Sequence, residues 1–195
     1  MKILVNCLVY GKRPYEIIHH NLNNAGMAYE VKIIDKEGIA NALNEGIKDY
    51  QNYDGIAFLA NDIVEPDMWL AKKWSALKNY TNAGIVSSSL DAERNSIVNE
   101  HIISNWLINT QLIDKIGKFN ETYYPYGAID LEYCERTWLA GFHTYYVMNC
   151  LAHHEGGHAS GNEYGWDKGE LVSKYSSQYN LDVESYRNGS KSIKL

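Results

Sequence analysis

Short apolar runs alternate along the chain with segments whose apolar residues are spaced three or four apart. Runs rich in β-branched and aromatic residues predict buried strands over residues 3–9, 29–34, 53–59, 83–89, 101–108 and 143–148. The helical spacing predicts helices over residues 15–24, from Pro66 onward, from a cap at Thr110 to residue 116, and over residues 171–179. Because helices alternate with strands, the pattern indicates an α/β fold with a mostly parallel central sheet flanked by helices.

In the segment from residue 126 to residue 142, which overlaps a tyrosine-rich stretch at residues 123–127, a loop leads into a helix with two carboxylates near its start. Asp130 and Glu132 lie off the apolar stripe of this helix, and Gly141 supplies its end. The stripe consists of Leu131, Cys134, Trp138 and Phe142. Glu132 and Arg136 are spaced i, i+4, so one interpretation is a surface ion pair worth ~0.3–0.5 kcal/mol. The other is that Asp130, beside the aromatic loop, faces a pocket.

Further polar residues follow the predicted strands. Asp35 ends the second strand, and Asn61 and Asp62 follow the third, at what would be the carboxyl edge of the sheet, where open α/β folds bind ligands. From the residues alone, these positions are also typical of turns. Three histidines lie within six residues beside glycines, a spacing that matches neither a helical metal site nor a zinc finger. These histidines are His153, His154 and His158.

Composition narrows the function classes. The 195 residues are 45% hydrophobic, which suits a single domain with its own core. Eighteen basic against 24 acidic residues give a net charge of −6, which argues against nucleic acid or an anionic membrane as the main partner. The three cysteines are widely spaced and flanked by apolar residues, so we expect reduced core thiols in a cytoplasmic protein. The opening apolar run is too short for a transmembrane segment and predicts the first strand.

The sequence YGAIDLEYCERTWLAGF, residues 126–142, resembles the acceptor-side motif of GT-A glycosyltransferases, both of bacterial family-2 enzymes and of polypeptide N-acetylgalactosaminyltransferases. Three other segments are similar to family-2 motifs and follow in the same order. These are residues 41–47, the run FLANDIVEPDMWL at 58–70, which resembles the local form of the DxD motif, and residues 116–121. The resemblance covers residues 3–160. It implies a single-domain, Rossmann-like GT-A fold over residues 1–164, with residues 165–195 as a C-terminal helix and tail that could act as a lid.

The resemblance also implies an activity, transfer of a sugar from a nucleoside diphosphate donor to a glycan or another hydroxyl acceptor. Asp62 and His154 would hold Mn²⁺ or Mg²⁺ with the diphosphate, with His153 and His158 as rivals to His154. Asp130 would be the catalytic base, and inversion follows if it is. Other donor-binding positions implied are Val9, Tyr10, Asp35, Asn44, Asn61 and His158. The acceptor-side positions are Tyr126, Gly127 and Glu132.

The chain departs from the family pattern at several positions. Ala60 and Ile129 are apolar where the families have acidic residues, and Glu132 stands where family-2 enzymes usually have Asp. One alternative is therefore a catalytically silent module that binds a nucleotide sugar or a glycan. A nucleotidyltransferase is a further alternative, although residues 10–14 are a poor version of the Gly-rich basic loop that such enzymes need. The donor base, the sugar, the acceptor and the oligomeric state stay open.

Overall fold

The computed structural model describes residues 1–9, 15–92, 94, 99–102, 105–155 and 168–195. Within these residues the strands are β1 (Ile3–Leu8), β2 (Glu30–Ile34), β3 (Gly55–Ala60), β4 (Ile63–Val64), β5 (Ala83–Leu90), β6 (Trp106–Asn109) and β7 (His143–His154). The helices are α1 (Glu16–Asn23), α2 (Ile39–Gly46), α3 (Trp69–Asn79), α4 (Thr110–Ile116), α5 (Ile129–Leu139) and the C-terminal helix (Lys168–Arg187). None of the helices described has the length and apolar character needed to cross a membrane.

The strands form one sheet in the order β2-β1-β3-β6-β5-β7-β4. β1 pairs in parallel with β2 and β3, and β5 pairs in parallel with β7. β6 runs antiparallel to β3 and β5, and the short β4 runs antiparallel to the end of β7. Five strands therefore share one direction and end at the same edge, which confirms the predicted α/β fold with a mostly parallel sheet.

Except at the edge strand β2, where Val31 and Ile33 are exposed, both faces of the sheet are covered, which explains why its inner strands appear in the sequence as continuous apolar runs. In β1, Leu4 and Leu8 belong to the core under α2, α4, α5 and the C-terminal helix. Val5 and Cys7 point the other way, into the core under α1 and α3. All three cysteines are buried and unpaired, as the sequence predicts.

Two helices begin at residues other than those predicted. α3 begins at Trp69 and not at Pro66, because Met68 has a φ of 60°, a left-handed conformation that interrupts a helix. α4 is capped by Asn109 and not by Thr110. The side chain of Asn109 accepts a backbone hydrogen bond from the first turn, which is the role of an N-cap residue.

Two strands and one helix differ in length from the prediction. β6 begins at Trp106, so it is shorter than the predicted strand over residues 101–108. β7 continues past Met148 to His154, because its last residues pair with the end of β5 and with β4. The C-terminal helix spans residues 168–187 and is longer than the predicted 171–179. The extension of β7 matters most, since it carries His154 to the edge of the sheet.

The C-terminal helix packs against α5 and against the loop that precedes α5. The carboxylate of Asp182 accepts hydrogen bonds from the hydroxyl of Tyr123 at 2.8 Å and from Nδ2 of Asn120 at 3.3 Å. The hydroxyl of Tyr186 donates to Glu132 on α5 at 2.6 Å. Buried hydrogen bonds therefore join the C-terminal helix to α5 and to residues 120–123. The division of the chain at residue 164 and a lid function for residues 165–195 stay predictions.

Candidate active site

The carboxyl ends of the parallel strands bring several predicted donor-side residues to one edge of the sheet. Val9 follows β1, and its backbone N–H donates to the carbonyl of Ile34 at 3.0 Å, so the ends of β1 and β2 are fixed together. Asp35 follows β2 and is exposed at this edge. Asn61 follows β3 and is buried. The predicted residues Tyr10 and His158 lie outside the described part of the chain.

Asp62 and His154 are 92 positions apart in sequence and meet at this edge. β4 pairs antiparallel with the end of β7, so Ile63, the residue after Asp62, lies opposite His154. The Nε2 atom of His154 lies 3.2 Å from Oδ2 of Asp62. The two side chains are 15% and 16% exposed, so both are accessible from the edge of the sheet. The structure thus brings together the two residues predicted to bind a metal.

The distance between these two side chains is that of a direct hydrogen bond, and it is also compatible with a shared divalent cation. Two ligands at adjacent positions of an octahedron with bonds of about 2.1 Å lie about 3.0 Å apart, close to the observed 3.2 Å between Asp62 and His154. Carboxylate and phosphate oxygens suit Mn²⁺ or Mg²⁺, whereas an imidazole nitrogen is more typical of transition metals, so His154 fits Mn²⁺ better than Mg²⁺. Among the described residues, no group of three or more His, Cys, Asp or Glu side chains is arranged to hold a metal. Two protein ligands would therefore need diphosphate and water oxygens to complete the shell.

Asp91 is a further carboxylate at this edge whose contact with His154 sequence reasoning missed. It follows β5, and its Oδ1 accepts a hydrogen bond from the backbone N–H of His154 at 2.9 Å. His153, the rival metal ligand, is exposed and has its Nδ1 atom 3.9 Å from Asp91. The available signal was the position of Asp91 after a strand parallel to those of the site. The contact with Asp91 helps to fix the backbone of His154.

Asp130 lies in the first turn of α5, and its carboxyl group has an unusual pKa. Burial raises this pKa from 3.8 to about 6, although Oδ1 accepts a hydrogen bond from the backbone N–H of Leu131 at 3.0 Å. Tyr126 lies close enough to Asp130 to be affected by its charge. Burial and the negative charge of Asp130 both raise the pKa of Tyr126. A carboxylate with a pKa near 6 is ionised at neutral pH and still basic enough to take a proton, which suits a general base.

The loop that precedes α5 contacts the loop that follows β2, which places it at the carboxyl edge of the sheet. The hydroxyl of Tyr124 donates to Glu37 at 2.9 Å, and the backbone N–H of Ile39 donates to the carbonyl of Pro125 at 3.1 Å. Gly38 has a φ of 82°, and a Cβ built there would lie 2.6 Å from the ring of Tyr124. A glycine is therefore needed for this close approach.

The predicted acceptor-side residues differ in their surroundings. Tyr126 and Gly127 are partly exposed beside Asp130, and a Cβ at Gly127 would lie 2.7 Å from the ring of Tyr175 on the C-terminal helix. Glu132 is fully buried, contrary to the expectation of an acceptor contact. Its carboxylate accepts two hydrogen bonds from Arg136, from Nε at 2.9 Å and from an Nη atom at 2.8 Å. Glu132 is therefore a structural residue, since the C-terminal helix covers this side of α5.

Asn44, a predicted donor-binding residue, has its side chain engaged by the protein itself. Its Oδ1 accepts from the backbone N–H of Phe119 at 2.8 Å, and its Nδ2 donates to the carbonyl of Phe119 at 3.0 Å and to Glu121 at 2.8 Å. These contacts join α2 to the segment before the acceptor-side loop. The structure thus gives Asn44 a structural role, and its expected donor contact stays a prediction.

Replacing Asn44 by Ala is expected to lower the free energy of unfolding by about 1–3 kcal/mol, because both backbone groups of Phe119 lose their partner. Urea denaturation followed by tryptophan fluorescence measures this. Asn41→Ala on the same helix is the matched control and should cost less, since the side chain of Asn41 makes one exposed hydrogen bond, to the carbonyl of Glu37. Loss of nucleotide affinity at unchanged stability would return Asn44 to the donor site.

The chain resembles known proteins in structure and not in sequence, since no family model and no curated protein sequence matches it. One similar structure is GalNAc-T7 with UDP, GalNAc and Mn²⁺, at a TM-score of 0.62 and 8% identity, covering 79% of this chain and 43% of that chain. Another is the catalytic domain of Drosophila β1,4-galactosyltransferase 7 in complex with xylobiose, at 0.56 and 16%, covering 76% and 65%. The chain has the GT-A fold.

A third similar structure is A197 from STIV, with a TM-score of 0.56 and 16% identity, covering 79% of this chain and 85% of that chain. At such identities the likeness shows the GT-A fold alone. The chain spans 65% of the galactosyltransferase domain and 43% of GalNAc-T7.

Proposed function

We propose that this chain is a metal-dependent glycosyltransferase that moves a sugar from a nucleoside diphosphate donor to a hydroxyl acceptor, with inversion at the anomeric carbon. The observation that carries the proposal is the 3.2 Å approach of Asp62 and His154 at the carboxyl edge of a GT-A sheet. The similar structures support the choice of substrate class, because one contains UDP, GalNAc and Mn²⁺ and another contains xylobiose.

The donor side of the site follows from the strand ends. Asp62 and His154 would hold Mn²⁺ or Mg²⁺, and the bound cation would neutralise the diphosphate as it leaves. Val9 and Asp35 lie where the nucleoside would reach the ends of β1 and β2. Asn61, next to Asp62, is buried, so a donor contact by its side chain stays a prediction.

The acceptor side is built around Asp130. Its carboxylate would take the proton of the acceptor hydroxyl as the acceptor oxygen bonds to the anomeric carbon. The bond from that carbon to the diphosphate oxygen breaks, and its electron pair leaves with the nucleoside diphosphate. Tyr126 and Gly127 would line the acceptor subsite beside this carboxylate. Attack from the side opposite the leaving group inverts the anomeric carbon.

A silent module that binds a nucleotide sugar or a glycan is the second candidate. It is favoured by Ala60 and Ile129, two apolar residues at positions that are acidic in the families the sequence resembles. The structure gives both a local role. The backbone N–H of Ala60 donates to Asn105 at 2.9 Å, and the side chain of Ile129 is buried in the core. A catalytic enzyme with this chain would have to work without those two carboxylates.

Incubation with UDP-, GDP- and dTDP-sugars in the presence of Mn²⁺ separates the two candidates. We expect one nucleotide family to release its nucleoside diphosphate, slowly in water and faster with a saccharide acceptor. Because two protein ligands hold a cation weakly without the diphosphate, EDTA should stop the reaction, and excess Mn²⁺ should restore it. Mass spectrometry of the products measures both transfer and hydrolysis. Binding of a nucleotide sugar without any release of product would support the silent module.

A further inference from the structure

A fully buried polar network adjoins the loop that carries Asp62. The side chains of Glu65 and Lys73 are both 0% exposed and form an ion pair of 2.7 Å. Lys73 Nζ also donates to the carbonyl of Asn105 at 2.7 Å, and Ser88 donates to the second carboxylate oxygen of Glu65. Burying two charges is costly, and it is tolerated only when the pair is well hydrogen-bonded, as this one is.

The network holds the backbone on the β3 side of Asp62. Nδ2 of Asn105 donates to Glu65 at 2.8 Å, and Oδ1 of the same side chain accepts from the backbone N–H of Ala60 at 2.9 Å. Ala60 is the last residue of β3 and precedes Asp62 by two positions. The position of Ala60 is therefore tied to the buried ion pair through a single amide.

The other side of the loop is held by Asn21 of α1, which is also fully buried. Its Nδ2 donates to the carbonyl of Ile63 at 2.8 Å, and its Oδ1 accepts from the backbone N–H of Glu65 at 2.8 Å. Ile63 follows Asp62 directly and pairs with His154 across the β4–β7 ladder. Asp62 thus lies between two backbone segments that buried side chains hold in place.

The strand that carries His154 is joined to the same network. The hydroxyl of Ser88 on β5 donates to Glu65, and its oxygen lies 3.2 Å from the sulfur of Cys150. Cys150 belongs to β7 and precedes His154 by four residues. The carboxylate of Glu65 is therefore linked to both strands that lead to the site, to β3 through Asn105 and to β7 through Ser88.

We propose that Glu65, Lys73 and Asn105 are positioning residues that set the distance between Asp62 and His154 for the cation and the diphosphate. This inference rests on the proposed function. Stability alone does not account for the network, because apolar residues of similar volume often replace a buried ion pair without loss of stability. An apolar core would not supply the directional hydrogen bond that the backbone N–H of Ala60 donates to Asn105.

The test uses the double variant Glu65→Leu with Lys73→Met, which fills the same space without charge. Mn²⁺ binding in the presence of UDP, GDP or dTDP is measured by electron paramagnetic resonance of free Mn²⁺, and folding by circular dichroism. We expect a folded protein whose Mn²⁺-dependent nucleotide affinity is lower by ~10–100-fold, the usual effect of disturbing groups that orient metal ligands. This readout does not depend on catalytic turnover.

The other buried ion pair provides a matched control. Glu132→Leu with Arg136→Met makes the same chemical change on α5, between two side chains that are likewise 0% exposed. It should leave the affinity for Mn²⁺ and nucleotide within about twofold of the wild-type value, because distant sites act independently. An equal loss of affinity in both double variants would mean a general effect on folding and would overturn the positioning role.

Asn105→Gly decides the question if the double variant does not fold. Asn105 has a φ of 46°, which glycine adopts without strain, so this change removes only the amide that links Ala60 to Glu65. It should also weaken Mn²⁺-dependent nucleotide binding by ~10-fold or more. Wild-type affinity in Asn105→Gly would overturn the positioning role and leave the proposed function intact. A wild-type protein that binds none of the three nucleotides with Mn²⁺ would overturn the proposed function, and the inference with it.

Discussion

Replacing Asp130 by Asn is expected to lower the rate of sugar transfer by ~10²–10⁴-fold, because the acceptor hydroxyl loses its general base. Nucleotide affinity should not change, since the donor contacts that we propose are those of Asp62 and His154. Transfer to a saccharide acceptor, followed by mass spectrometry, measures the rate. Glu184→Gln, which removes an exposed carboxylate from the C-terminal helix, is the control and should keep full activity. Unchanged turnover in Asp130→Asn would exclude Asp130 as the base.

The raised pKa of Asp130 gives this prediction a pH signature. Transfer should decline as the pH falls below about 6, where the carboxylate becomes protonated. The stability of the fold should change in the opposite direction, since the contribution of Asp130 to the free energy of unfolding decreases as the pH rises. A carboxyl group whose pKa rises from 3.8 to about 6 on folding contributes stability that is fully present below pH 3.8 and lost as the pH rises through about 6. At pH 8, Asp130→Asn should therefore be more stable than wild type, by up to ~3 kcal/mol, with no such gain at pH 3.5.

Replacing Glu132 by Ala is expected to lower the free energy of unfolding by about 3–5 kcal/mol. Arg136 would stay buried without its carboxylate, although its guanidinium also donates to the carbonyls of Ile116 at 2.6 Å and Lys118 at 3.0 Å. The hydroxyl of Tyr186 would lose its acceptor as well. At about 2–4 °C per kcal/mol, the melting temperature should fall by about 6–20 °C. Differential scanning calorimetry measures this.

The control for Glu132→Ala removes both charges of the pair. Glu132→Leu with Arg136→Met should be more stable than Glu132→Ala, because it leaves no unpaired charge in the core. A loss below about 1 kcal/mol in Glu132→Ala would contradict the buried position of Glu132, since it is the effect expected of an exposed ion pair.

The sequence predicted most of the sheet, and it singled out Asp62 and His154, two residues that the structure brings together. Buried strands are recognisable because both faces of a largely parallel sheet are covered, so their residues form apolar runs. Asp62 and His154 could be paired only through the motif order of a known family. Their spacing in sequence carries no sign of the β4–β7 ladder that joins them, and β7 was predicted to end at Met148, before it reaches the site.

The sequence did not reveal contacts that depend on the tertiary structure. Glu132 has the spacing of a surface ion pair with Arg136, and only the packing of the C-terminal helix buries it. Asn44 matches a family motif, yet its amide is used by Phe119, 75 positions away. The sequence also gave no indication that Glu65 and Lys73 form a buried ion pair, since Glu and Lys side chains are usually exposed to solvent. Tertiary contacts decide each of these roles.

The claim that Asp62 and His154 form a cation and diphosphate site is tested most directly by calorimetric titration of the purified protein. UDP, GDP and dTDP are each titrated with and without Mn²⁺, into wild type and into Asp62→Ala. We expect one nucleoside diphosphate to bind only with Mn²⁺, and Asp62→Ala to weaken that binding by ~100-fold or more, because one of two protein ligands is lost. Binding that is indifferent to Mn²⁺ and to Asp62→Ala, or no binding at all, would contradict the claim.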